Sequence, residues 1–101
     1  MVDAAREALS FAASRGRADL DTDRQLVLAL VKCIEIVGEA ATQTTTATRT
    51  ELPEIPWPSI VAMRHRLVHA YFDIDHDRVW DTIVGDLPPL VAALERALAT
   101  R

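Results

Sequence analysis

Apolar positions along the chain recur with the period of a helix and not with the alternation of a strand. Val2, Ala5, Leu9, Ala12 and Ala13 make one stripe, which predicts a first helix closed by Arg15-Gly16 and the Asp-rich run that follows. Thr22 with Gln25 reads as a capping box that opens a second, longer helix. There Leu26, Leu30, Cys33 and Val37 form one apolar line and Val27, Val31, Ile34 and Gly38 a second beside it. A face that wide exceeds the need of a single packing partner, so this helix should bury on two sides. Gly38, unfavourable inside a helix, makes sense where another backbone must come close.

The pattern then fades. The run "TQTTTATRTE" is polar and rich in β-branched threonine, so the second helix is expected to end within it. "LPEIPWPS" reads as a stiff connector, because each proline fixes its own φ and biases the residue before it toward extended backbone. Pro58 suits the first turn of a third helix carrying Ile60, Met63 and Leu67. Asp75 is placed to cap a fourth helix with Val79, Trp80 and Ile83, Gly85 to interrupt it, and Asp86-Leu87-Pro88 to restart a last one with Leu90, Leu94 and Leu98. The expected fold is all-α: a small helical bundle of about five helices in one domain over residues 1–101.

Composition narrows the function. The chain has 101 residues, half of them apolar, and a formal charge of −4. An acidic protein of this size does not coat nucleic acid by bulk attraction, so any such contact has to be local. Cys33 is the single cysteine and reads as inert core. No long apolar run is present, which points to a cytoplasmic protein without a membrane partner.

Against that background "MRHRLVHAYFDID", Met63 to Asp75, stands out for its density of cationic and titratable groups. If the third helix runs to near Ala70, Arg64 and His69 lie about 140° apart around it and do not point together. A helix that breaks at His69, or a second copy of the chain across a two-fold axis, would bring them to one cleft. Arginine with histidine suits phosphodiester cleavage in RNA. Neutral imidazole can take the 2′-OH proton, imidazolium can protonate the 5′ leaving oxygen, and guanidinium neutralises the phosphorane. The plainer reading, solvated residues near a helix end, is favoured by spacing alone.

Other chemistries fit less well. His65 and His69 share a helix face, but "HRLVH" lacks the glutamate of a zinc hydrolase, and His76 is the one remaining histidine. Asp73, Asp75 and Asp77 alternate as in a calcium loop, yet Arg78 holds the glycine place and Val84 the acidic one, so these aspartates go to turns and caps. Trp57 and Trp80 read as core. Glu35 and Glu39 share an edge of the second helix; the usual role is a solvated one, with the option that one of them orients Arg64.

The blocks "EIVGEA" (Glu35 to Ala40), "PEIPW" (Pro53 to Trp57), "RHRLVH" (Arg64 to His69), "YFDID" (Tyr71 to Asp75) and "VWDTIVGDLP" (Val79 to Pro88) run through most of the chain. In that order they resemble the HepT branch of the HEPN ribonucleases. The resemblance implies a homodimeric all-α endoribonuclease, the toxin of a bacterial toxin–antitoxin pair, encoded beside an MntA-like nucleotidyltransferase antitoxin and needing no cofactor. It makes Arg64 and His69 catalytic, with His65 supporting them where relatives often carry Asn or Asp. Tyr71 stands where the antitoxin transfers AMP. The Gly-Ser turn and paired aspartates of a nucleotidyltransferase are missing, so the chain is expected to be acceptor and not transferase. The alternative function is a non-catalytic helical interaction protein that binds and regulates a nucleotidyltransferase.

Overall fold

The computed structural model describes residues 1–70 and 73–99, with Arg64, Val68, His69 and Ala70 described by backbone alone. Six α-helices account for most of it: α1 (Val2–Ala12), α2 (Arg24–Thr42), α3 (Thr46–Glu51), α4 (Trp57–Leu67), α5 (His76–Asp81) and α6 (Leu87–Ala99). A 3₁₀ turn (Arg17–Asp21) precedes α2, and a minimal antiparallel hairpin, β1 (Val68–Ala70) with β2 (Asp73–Ile74), separates α4 from α5. The all-α expectation holds, with the hairpin as an addition to it.

Helix α2 is the axis of the molecule. Val27, Leu30, Ile34, Val37 and Ala41 are fully buried along it, and each large aliphatic side chain removed from water contributes roughly 1.5–3 kcal/mol. α1 packs along one flank through the fully buried Ala5 and Ala8, and α4 packs along the other. The two apolar lines are thus both consumed within one chain. The width of the face is accounted for by α1 and α4; Leu28 and Ile36 remain exposed on the outer side.

Several helix ends differ from expectation, each for a local reason. The chain reverses after α1 at Ser14, whose φ of 62° is left-handed, and not at Gly16, which is extended with φ −128°. The cap of α2 is Asp23 instead of Thr22: its Oδ1 accepts from the Leu26 N–H at 3.0 Å and satisfies one of the free amides of the first turn. The threonine run folds further than its propensity suggests. Thr45 Oγ1 accepts from the Thr48 N–H at 3.1 Å and starts α3. Arg49 then donates to the Ala41 carbonyl at 2.6 Å and lies 5.7 Å above the Trp57 ring. One guanidinium therefore ties the C-terminal end of α2 to the start of α4.

Gly85 does not interrupt the last helical stretch. α5 and α6 are joined by a π-helical turn, Thr82–Asp86, in which the Leu87 N–H donates to the Thr82 carbonyl, five residues back. Pro88 and Pro89 follow at once; they have no N–H to donate, and their rings collide with the carbonyl four residues back in an α-turn. Widening the preceding turn relieves that collision and lets the rod continue.

At Gly38, α2 and α4 come close enough that a Cβ there would lie 3.4 Å from the Ile60 carbonyl oxygen and 3.8 Å from that of Val61. That is contact without overlap. Gly38→Ala should leave thermal stability unchanged or raise it by up to about 1 kcal/mol through helix propensity. Gly38→Leu should lower it by roughly 1–3 kcal/mol by forcing the helices apart. Urea unfolding of the two variants checks both signs.

Candidate functional site

The third-helix stretch ends earlier than its periodicity implies. α4 stops at Leu67 and not near Ala70, and the chain enters β1. The Asp75 N–H donates to the Leu67 carbonyl at 2.8 Å, closing the base of the hairpin. Val68 pairs with Ile74 and Ala70 with Asp73, so two steps on β1 face one on β2. His69 is the extra residue of that β-bulge. A bulge takes one residue out of the strand ladder and turns it relative to its neighbours, so the 140° separation expected on a straight helix no longer applies.

The flanking residues are placed as follows. His65 is exposed on α4. Arg66, also exposed, donates back to the Ser59 carbonyl at 2.6 Å. Met63 and Leu67 are buried and anchor the last turn of α4 in the core. Tyr71 lies outside the described residues. A hollow of about 270 Å³ between α4 and α6 is lined by Ile60, Met63, Arg66, Asp86, Pro89 and Leu90.

The hairpin is held from behind by an ion cluster that sequence spacing does not signal, since its members are 55 and 60 residues apart. Arg17 donates to Asp77 Oδ1 at 2.6 Å and to Asp21 Oδ1 at 3.0 Å, and His76 Nδ1 lies 3.3 Å from the same Asp21 oxygen. Asp75 Oδ1 accepts from the Arg78 N–H at 3.1 Å and caps α5. The Arg17 guanidinium and, after it, His76 hold the Asp21 carboxyl below the usual carboxylate range. Such a group contributes stability above its unfolded pKa, and that contribution is lost only as acid protonates it. The clamp is therefore intact at neutral pH. Asp75 has the capping role assigned to it from sequence, whereas Asp77 is taken up by the ion pair with Arg17.

For metals, His65 faces solvent and His76 is engaged with Asp21. Among the described residues no group of three or more His, Cys, Asp or Glu comes together as a metal site. Nor is any helix among them long and apolar enough to cross a membrane. Trp57 is buried with its Nε1–H donating to the Leu52 carbonyl at 3.1 Å, as a core residue should be, whereas Trp80 is half-buried.

A family model described as "Ribonuclease HepT-like" matches residues 1–97. The chain belongs to the HepT-like ribonuclease family. A protein named "Probable ribonuclease HepT" from Thermococcus cleftensis is 35% identical over 78 residues, covering 77% of this chain and 71% of that one. A protein of Caldanaerobacter subterraneus subsp. tengcongensis named as a candidate RNase is 32% identical over 79% of this chain and 71% of its own. Another from Methanocaldococcus jannaschii, also named as a candidate RNase, is 30% identical over 75% of this chain and 63% of its own. No solved structure matches the chain. Membership in the HepT-like family carries ribonuclease activity with it, and with that activity an RNA substrate.

Cys33 stands apart from this chemistry. It is buried on α2 with its Sγ 3.7 Å from Glu7 Oε1. Burial first, and the Glu7 carboxylate second, push the thiol up to about 11. A thiol whose pKa is raised on folding supports the fold below its unfolded value, about 8.5, and ceases to as pH climbs toward the folded one. Wild type should thus lose more stability than Cys33→Ala between about pH 8 and pH 10.5, measured by urea unfolding. Native protein should also resist thiol-specific labelling at neutral pH until it is unfolded.

Proposed function

We propose that this HepT-like protein is a metal-independent endoribonuclease toxin of a toxin–antitoxin pair, acting in the cytoplasm on tRNA or mRNA. Residues 1–101 form one HEPN-like domain, and two copies form a homodimer with a composite site. Arg64 and His69 are the catalytic residues and His65 supports them. The observation that carries the reading is the end of α4 at Leu67 with His69 as the bulged residue two positions on. This break sets the histidine in a different frame from the arginine, which one straight helix cannot do.

In the reaction, neutral His69 takes the proton of a ribose 2′-OH. The 2′ oxygen attacks the adjacent phosphorus, and the P–O5′ bond breaks. An imidazolium, from His69 of either copy, returns a proton to the 5′ oxygen. The products are a 2′,3′-cyclic phosphate and a 5′-OH, and Arg64 neutralises the charge that grows on the phosphorane. A cognate MntA-like nucleotidyltransferase silences the site. The Tyr71 phenolate attacks the α-phosphorus of ATP, pyrophosphate leaves, and AMP stays on the ring. Phosphate bulk and charge beside the arginine and histidine then exclude RNA.

Purified wild type should cleave total RNA in EDTA, and His69→Ala should lose at least about 10²-fold of that rate while keeping its helical circular-dichroism spectrum. No cleavage by unmodified wild type overturns the reading in favour of an interaction protein, and equal cleavage by both removes His69 from the reaction and points to a contaminating nuclease. For the silencing step, wild type incubated with the transferase and ATP should gain the mass of AMP. Tyr71→Phe should gain none. An unchanged wild-type mass removes the tyrosine from the mechanism.

A further inference from the structure

The contact between α2 and α4 has a register. Gly38 sits against the carbonyls of Ile60 and Val61, and the end of α2 at Ala41 is tied through Arg49 to Trp57 at the start of α4. The two helices therefore run antiparallel. One turn beyond Ile60 and Val61 on α4 is position 64; one turn before Gly38 on α2 are Ile34 and Glu35.

Helical phase places these positions on the facing ridges. Trp57, Val61 and position 64 fall within about 60° of one another on α4, and Val31, Glu35 and Gly38 span a similar arc on α2. Ile34 at this level is fully buried in the core. Glu35 is half-buried on the edge turned toward α4, whereas Glu39, one turn further, is exposed. Lys32 Nζ lies 3.9 Å from Glu35 Oε2, but that lysine is 70% exposed, and such a surface pair contributes little.

An arginine carried at that level of α4 is best held by an acceptor anchored on the facing helix. A carboxylate is the acceptor that fits a guanidinium and fixes its plane. We infer that Glu35 is a positioning residue for Arg64: its carboxylate accepts from the guanidinium on the α2 side and leaves the other N–H groups to the scissile phosphate. The inference rests on the catalytic role proposed above for Arg64. Its effect is preorganisation, because a donor held in place stabilises transition-state charge without having to reorganise.

The test is RNA cleavage under saturating RNA by Glu35→Gln, Glu35→Asp, Glu39→Gln, Arg64→Lys, Arg64→Ala and the double variant Glu35→Gln/Arg64→Lys, with thermal unfolding of each. Glu35→Gln, which keeps the shape, should lower kcat roughly 10- to 100-fold with a small change in KM and an unfolding midpoint near wild type. Glu35→Asp should recover part of the rate, and Glu39→Gln should match wild type. In the Arg64→Lys background Glu35→Gln should cost little more. Equal losses in both backgrounds would mean that Glu35 acts elsewhere, and a Glu35→Gln protein as fast as wild type would also overturn the inference. If instead Arg64→Ala cleaves normally, the catalytic assignment itself is at fault.

Discussion

The close antiparallel seating of α4 on α2 is the constraint on which the remaining arrangement depends. Gly38 lets the two backbones meet at Ile60 and Val61, and Arg49 fastens the adjoining ends through Ala41 and Trp57. With α4 held at its start and middle, and Met63 and Leu67 sunk in the core, its last turn has a fixed position. The hairpin that carries His69 grows out of that turn. A small acidic protein thereby obtains a rigid base for a cationic stretch that would otherwise sit on a fraying helix end.

The far side of the hairpin is secured by other means. β2 leads directly into α5, whose first turn is capped by Asp75 and held by Arg17 and His76 around Asp77 and Asp21. These groups are largely exposed, so singly each pair contributes little; as a shared network they restrict where the first turn of α5 can go. The π turn at Thr82–Asp86 then carries the helix past Pro88 and Pro89 without a break, so that Leu90 and Leu94 reach the core. The hairpin is bounded by one helix seated on α2 and another clamped to the 3₁₀ turn.

Much of the fold was legible in the chain, and the failures are instructive. The two apolar lines of α2 announced burial on two sides, which α1 and α4 supply. Gly38 announced a close backbone, and one is there. The threonine run misled because its helix, α3, is held by a cap and by Arg49 reaching across to Ala41 and Trp57, contacts that propensity does not count. Gly85 misled because a wider turn, and not a break, accommodates the prolines after it.

By itself the sequence determined the helical class, the buried face of α2 and the motif blocks that place the chain among HepT-like ribonucleases, since periodicity and spacing are local properties of the chain. Only the tertiary structure decided where α4 stops, that His69 is the bulged residue of a hairpin, and which acid on α2 stands level with position 64. Those depend on contacts between segments far apart in the chain. No Gly or Pro lies between Leu67 and Asp75, so no local signal marks Leu67 as the end of α4. What ends the helix there is the Asp75 amide, eight residues on, taking the Leu67 carbonyl at 2.8 Å.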